Sequence, residues 1–355
     1  MRSITTINDL MTEVVRQHER KHDVLADTRS MSVGGDLLDT LTIDADHGIE
    51  SFTLTDYALG QMSTDLGIPK RYFDRMRTDA PGLFQTNVHH WFANEPNRRM
   101  VRGLKDESPA ETMTGRAWLS DRYRRLDNIE IARKLLPEFE NLGTPVEFHN
   151  AAITDTKFYL RAVFPRIQGE VKVGDVVQWG CQIRNSEVGA GTFAIENFLL
   201  RLVCTNGMVV TKVTSSRHVG RRIEDLGVLS DEALRADDKA FWLAARDLLR
   251  ASLSETAFES VIASLKETTE GAEITRPLAA TERLAKTLEL TEAEREDVLA
   301  RLTLGGDMSR WGALNAVTAA AKHTETFDRQ VEMEEMGWSL ASMSEREWER
   351  IAVAA

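Results

Sequence analysis

The residues with the clearest chemical meaning in this chain are cations, and they fall into groups. Lys70 and Arg71, with Arg75 and Arg77, interleave with Tyr72 and Phe73 in KRYFDRMR. Arg98, Arg99, Arg102 and Lys105 surround a short apolar stretch, and Arg122, Arg124 and Arg125 flank Tyr123. Arg217, Arg221 and Arg222 follow Thr214, Ser215 and Ser216, with His218 and Gly220 among them. Arg184 and Asn185 stand together before Ser186, and Arg201 interrupts the apolar run FLLRLVC. Guanidinium groups mixed with hydroxyls, amides and tyrosine suit phosphate contacts and base stacking on a single strand. No helix-turn-helix or zinc-finger pattern accompanies them, so sequence-specific reading of a duplex is not expected.

Other chemistries find less support. His18 and His22 have the i, i+4 spacing of a helical zinc pair, but Glu19, Arg20 and Lys21 between them read as a solvated face with no third ligand nearby. His89 and His90 are adjacent and would point apart on a helix. Ser186 beside Glu187 lacks a neighbouring histidine in the sequence. The GAG at 189–191 lacks the spacing of a phosphate loop, and no Walker lysine motif exists. The expectation is a protein with no catalytic residues, metal or cofactor. Each basic group alone reads equally well as solvated surface; their confinement to residues 66–222 favours a site.

The elements that must position these residues can be read from periodicity. Across residues 174–207, Val177, Trp179, Cys181 and Ile183 alternate with Gln178, Gly180, Gln182 and Arg184, which is the period of a strand with one apolar face. Residues 187–191 supply a glycine-rich reversal, and a second strand follows. Asn206-Gly207 predicts a tight primed turn with Gly207 at positive φ. With the strand at 157–164, these segments form a meander, and a sheet face carrying arginines and amides is a platform for a polyanion. If Arg201 is buried, Glu187 or Glu196 is its expected partner. Helices are predicted at 7–22, 56–66, 70–77, 81–94, 129–140, 231–265, 276–288, 291–302, 310–323 and 344–352, with a capping box at Thr291 and Glu294. Short strands are expected at 37–43, 49–54, 100–104 and 117–119.

Sequential strands with helices gathered toward the chain ends predict an α+β fold: a central antiparallel sheet, flanking helices and a helical C-terminal region. Three regions are expected: 1–54, an N-terminal helix and short hairpin; 55–228, a basic α+β core; and 229–355, an acidic helical region. The 355 residues carry a net charge of −12. Residues 66–222 hold 24 basic against 17 acidic side chains, while the stretch before holds 5 against 12 and the stretch after 15 against 27. A basic middle between acidic flanks suits a central polyanion site, and also head-to-tail pairing between protomers into a ring or filament. No apolar run of membrane-spanning length and no signal-peptide pattern is present, so a cytoplasmic location with two free thiols, Cys181 and Cys204, is expected.

Three motifs carry a resemblance. NSEVGAGTFAIENFLLRLVCTNGMV, LSDRYRRLDN (119–128) and WGALNAVTAAAKH (311–323) are similar to the signatures of the phage- and plasmid-borne domain of unknown function family 932. They fall in the family's order, and the resemblance runs from about residue 55 to about residue 337. It implies phage or plasmid DNA metabolism and, at the level of fold, a relation to single-strand annealing proteins. The leading expectation is therefore non-enzymatic binding and annealing of single-stranded DNA. The alternative is a host-interaction or counter-defence protein that works through protein partners.

Overall fold

The computed structural model describes residues 6–45, 48–106, 112–211 and 231–353. The fold is α+β, but the strands form two sheets instead of one. α1 (Ile7–Arg20) starts at Thr6, whose hydroxyl accepts from the Asp9 N–H at 3.1 Å. It is followed by β1 (Lys21–Asp27), β2 (Met31–Gly34), β3 (Thr40–Ala45) and β4 (Gly48–Leu54). Thr55 caps α2 (Asp56–Asp65), and α3 (Lys70–Asp79), α4 (Pro81–Asn94), β5 (Arg98–Lys105) and β6 (Thr112–Ser120) come next. The first sheet has the order β1-β5-β6-β4-β3-β2, with β4 and β6 parallel and its other neighbours antiparallel. This layer crosses the boundary expected at residue 54, because β1 pairs with β5 and β4 with β6. His22 lies on β1, off the helix that carries His18, and binds Glu50 at 2.8 Å. Phe52, Leu59, Phe73, Phe84, Phe92 and Trp118 pack α2, α3 and α4 against one face of the sheet.

α5 (Asn128–Glu140) leads into the second sheet: β7 (Glu147–Ile153), β8 (Phe158–Lys172), β9 (Asp175–Asn185), β10 (Ala194–Arg201) and β11 (Asn206–Val210). Its order is β11-β10-β9-β8-β7, antiparallel throughout. The meander read from the sequence is its centre. β8 continues past Pro165, where periodicity ended it. The register shifts between Val163 and Gln168, which leaves the proline at an irregular point where its missing N–H breaks no pairing.

The turn expected at Asn206-Gly207 is a correction. Both residues belong to β11, with Arg201 paired to Asn206, and the connecting loop is 202–205. The left-handed residue is Thr205, at φ 51°, not Gly207. Gly207 is needed for a different reason: a Cβ there would lie 2.7 Å from the Phe198 ring and 3.0 Å from the Glu334 carboxylate.

The C-terminal helices are α6 (Asp231–Ala251), α7 (Glu255–Glu267), α8 (Pro277–Leu288), α9 (Glu292–Gly305), α10 (Arg310–Ala320), α11 (Phe327–Ala341) and α12 (Glu345–Ala352). They share one core with the second sheet. Leu249, Val261, Leu284 and Leu314 join Trp179, Ile183 and Leu199 in a single buried cluster. α11, absent from the sequence reading, lies on the opposite face, where Val331 meets Tyr159, Phe198 and Val209. Among the described residues no helix is long and apolar enough to cross a membrane.

Candidate nucleic-acid interface

The polar face of the second sheet is covered, not solvated. Arg161 on β8 shares this face with Gln182 and Arg184 on β9 and Glu196 on β10. Its Nε donates to Gln182 Oε1 at 2.7 Å and its Nη1 to Glu334 Oε1 at 3.2 Å, and its guanidinium lies 4.8 Å from the Phe198 ring centre. Gln182 donates in turn to Glu196 at 3.1 Å. Arg184 donates to Glu196 at 2.8 Å and to Glu335 at 3.1 Å. Glu334 and Glu335 come from α11, so this helix supplies the acid for the sheet's arginines. Burial holds the Glu335 carboxyl above its ordinary range despite the pull of Arg184. A polyanion would have to displace α11 to reach this face.

Arg201 has a similar fate. Its partner is Asp175 at 2.6 and 2.7 Å, neither Glu187 nor Glu196. Asp175 also accepts from the Trp311 indole at 2.9 Å, and the Arg201 guanidinium lies 5.7 Å from that ring. Burial works against the Arg201 charge, but the Asp175 bonds outweigh it and raise its pKa. The motif beginning at Trp311 thus anchors one end of the second sheet.

The other two motifs face each other where the two sheets meet. Glu187, in the loop after β9, accepts from Arg116 at 3.1 Å and from the Asn128 N–H at 2.8 Å. Asn185 donates to the Leu126 carbonyl at 3.0 Å and to Asn128 at 2.9 Å, and the Tyr123 hydroxyl donates to the Ser186 carbonyl at 3.2 Å. Val188 is fully buried against Met100, Ala117 and Leu119. Gly189 takes φ 81°, where any side chain would be strained and a Cβ would lie 3.0 Å from Leu119. Arg102 sits beneath this loop, 3% exposed, and donates to the Glu187 carbonyl at 2.9 Å, to Asp127 at 2.6 Å and to Asp23 at 3.3 Å. Burial opposes its charge, and Asp127 and Asp23 restore it. Asn185 and Arg102 are therefore structural braces between the sheets, out of reach of a phosphate.

The remaining candidates divide by whether a carboxylate holds them. Lys70 binds Asp56 at 2.9 Å and Asp74 at 2.7 Å. Arg99 pairs with Asp65, and Arg124 with Asp237 and Asp238 of α6. Arg71, Arg98 and Arg122 are exposed and enter no close ion pair with another described residue, though Arg98 stands opposite Asp27 in the β1–β5 pairing and its charge adds to the Arg29 hydrogen bonds in holding that carboxyl low. β5 begins beside the end of β6, Arg99 opposite Ser120, which brings Arg98 and Arg122 to one edge. The exposed tip of the signature loop is also close, since the Cβ direction of Gly189 points 3.7 Å from the Tyr123 ring. Arg71 lies on α3 beside Tyr72, which is 48% exposed. Arg217, Arg221 and Arg222 lie outside the described residues.

The sequence did not reveal which carboxylates hold the arginines, namely Asp23, Asp127, Asp175 and Glu334. The charge contrast between the middle and the flanks was the available signal, read as an outward-facing pattern when much of it is neutralised inside the chain. Both cysteines are free, and burial pushes the Cys181 thiol up to about 12. Among the described residues no group of histidine, cysteine and carboxylate side chains is placed to hold a metal.

No curated protein and no solved structure matches the chain. A family model described as "Domain of unknown function (DUF932)" matches residues 117–344, from within β6 to the start of the last helix. The match covers more than half of the 355 residues and includes the three motifs almost in full. The chain belongs to this family of unknown function.

Proposed function

We propose that the chain is a non-enzymatic nucleic-acid-binding protein of phage or plasmid DNA metabolism, acting on single-stranded DNA. The contact surface is the edge that carries Arg98, Arg122 and the exposed loop tip at 189–192, together with Arg71 and Tyr72 on α3. The observation that supports it is selective: Arg71 and Arg122 remain exposed and unpaired among described residues, and Arg98 is exposed with Asp27 opposite it but beyond ion-pair contact, while Lys70, Arg99, Arg102, Arg124, Arg184 and Arg201 are held by carboxylates. Unpaired guanidinium groups can meet phosphates without first breaking an ion pair, and the glycines of the loop let a backbone approach closely. Annealing then follows from holding the phosphates and leaving the bases free to meet a complementary strand.

Three phosphate contacts give only about 2 units of salt slope on a single strand, so one protomer holds DNA weakly. Useful affinity then requires several protomers on one strand, which is the reason to retain a ring or filament in this reading. Opposite charge on core and flanks does not itself drive such assembly, because much of it is paired within one chain. The test is fluorescence anisotropy of labelled oligothymidylate, read with light scattering in the presence and absence of the oligonucleotide. Salt-sensitive binding with growth in mass supports the reading, and absence of binding at low salt removes it. Action through a protein partner, as in host interaction or counter-defence, is the second reading, supported by the acidic balance of the C-terminal helices.

A further inference from the structure

Of the strands at the edges of the two sheets, β2, β7 and β11 are blunted and β1 is not. β2 is four residues long and capped by α4: the Val33 N–H donates to His89 Nε2 at 2.9 Å, and Gln85 donates to the Val33 carbonyl at 3.2 Å. β11 is buried along its length and lies against α10 and α11. β7 carries a register shift between Phe148 and Asn150, a bulge that breaks regular pairing at an edge. β1 is seven residues long and pairs with β5 without a shift, and its Leu25 is 44% exposed.

One bond fixes which way the backbone groups of β1 point. The Thr28 N–H donates to the Asn97 carbonyl at 3.0 Å, continuing the register in which Asp27 faces Arg98. Strand alternation then turns the N–H and C=O of His22, Val24 and Ala26 toward β5, and those of Lys21, Asp23, Leu25 and Asp27 outward. Two outward groups are already used. The Lys21 N–H donates to the His18 carbonyl, and the Asp27 carbonyl accepts from the Ser30 hydroxyl at 2.8 Å. Asp23 and Leu25 keep both of their groups, Lys21 keeps its carbonyl and Asp27 its N–H, with no partner among the described residues.

We propose that β1 is an interface between two copies of this chain, paired antiparallel about a two-fold axis at Val24. In this register Asp23 faces the partner's Leu25, and Lys21 faces the partner's Asp27. Asp23 and Leu25 exchange both bonds, and the Asp27 N–H meets the Lys21 carbonyl. The bond left unmade joins the Lys21 N–H to the Asp27 carbonyl, the two groups already satisfied within the chain. The free groups of this edge are thus self-complementary, as an isologous contact requires. Lys21 and Asp27 also bring opposite charges together across the strands. The neighbouring registers are poorer: an axis at Asp23 sets the two copies of that carboxylate face to face, and an axis at Leu25 sets Asp23 against Asp27.

The first sheet then runs continuously through both copies. A two-fold contact closes on itself, so it supplies a dimeric unit, and growth along DNA requires a further contact. The interface uses none of the residues assigned to DNA contact and its test contains no oligonucleotide, so either proposal can fail without the other.

Light scattering of the full chain at micromolar concentration is expected to give the mass of two chains. Mild oxidation of Val24→Cys is expected to trap a covalent dimer, because the axis sets the two side chains directly opposite, with Cα atoms about 4.5 Å apart. Leu25→Cys is the control. Leu25 is more exposed than Val24, so random collision would favour it. In the proposed register its two copies are offset by two residues, roughly 6–7 Å along the strand, beyond disulfide reach. Wild-type chain under the same oxidant sets the background from Cys204. Leu25→Pro removes an outward N–H that the chain itself does not use, a change an edge strand tolerates. It is expected to weaken the dimer about tenfold or more at an unchanged melting temperature. If it melts early, the cysteine pair decides. A monomeric wild type, trapping of Leu25→Cys as fast as Val24→Cys, or a stably folded Leu25→Pro that dimerises like the wild type would overturn the proposal.

Discussion

Arg161 on β8 and Glu334 on α11 form an ion pair in which each side chain is 1% exposed. Gln182 accepts from Arg161 at 2.7 Å and Gln330 donates to Glu334 at 2.9 Å, which completes it. This pair fastens α11 to the polar face of the second sheet. Removing one member leaves a buried charge without its counterion, so Glu334→Ala should destabilise the protein by about 3–5 kcal/mol. The double change Arg161→Met/Glu334→Leu keeps volume and removes both charges, and should cost far less than the single change. Urea unfolding of the three proteins decides this. A cost below about 1 kcal/mol for Glu334→Ala would show that the pair is solvated in solution.

Gly207 tests the packing of the same face. Its missing Cβ leaves room for the Phe198 ring and the Glu334 carboxylate. Gly207→Ala should therefore cost about 1–3 kcal/mol by overpacking, although the backbone there is not left-handed. Thermal melting reads the loss. An unchanged melting temperature would mean that Phe198 has space to shift.

Asp127, at the start of α5, is fastened to the first sheet through Arg102 on β5 and Lys21 on β1. Burial raises its carboxyl pKa, but Arg102 and Lys21 together outweigh burial and hold it below the ordinary 3.8. A depressed carboxylate stabilises the fold fully above its unfolded value and loses that contribution as pH falls through the lower folded value. Near neutral pH, Asp127→Asn should therefore cost about 2 kcal/mol or more. The deficit should narrow as the pH falls below the ordinary carboxylate value. Chemical denaturation across an acid series checks it, and a gap that widens toward low pH would reverse the assigned sign.

Much of this architecture was legible in residue order. The alternation from Val177 to Ile183 located β9, Thr55 and Thr291 marked helix starts, and sequential strands gave α+β. What escaped was set by partners distant in the chain. β1 is a polar segment, KHDVLAD, that becomes a strand because β5 lies beside it. α11 is amphipathic in an unusual sense: Glu334 faces inward because Arg161 awaits it, so its pattern resembles a solvated helix. Asn206-Gly207 carries a turn signal, yet four residues before it close the hairpin, and the glycine answers to Phe198 instead. For the candidate site, arginines were visible in the sequence and their carboxylates were too. Which arginine meets which carboxylate depends on strand order, and only three of the described candidates are left outside that pairing.

The same reasoning predicts a contrast among arginine variants. Arg184→Ala breaks contacts to Glu196 and Glu335 and should lower stability, with oligonucleotide affinity of the folded protein unchanged. Arg122→Ala should leave stability within about 0.5 kcal/mol, because the side chain is exposed, and should weaken binding. Melting temperature and anisotropy measured on both proteins separate the two roles. The reverse pattern would place the binding surface on the sheet face beneath α11.

The most direct test of the proposed interface is a salt titration of oligothymidylate binding, for the wild type and for Arg71→Ala/Arg98→Ala/Arg122→Ala. Each phosphate contact contributes about 0.7 units to the slope of log affinity against log salt for a single strand. The account predicts that the triple variant melts like the wild type, binds more weakly at low salt, and loses up to about 2 units of slope. Equal affinity and equal slope for the two proteins would contradict it.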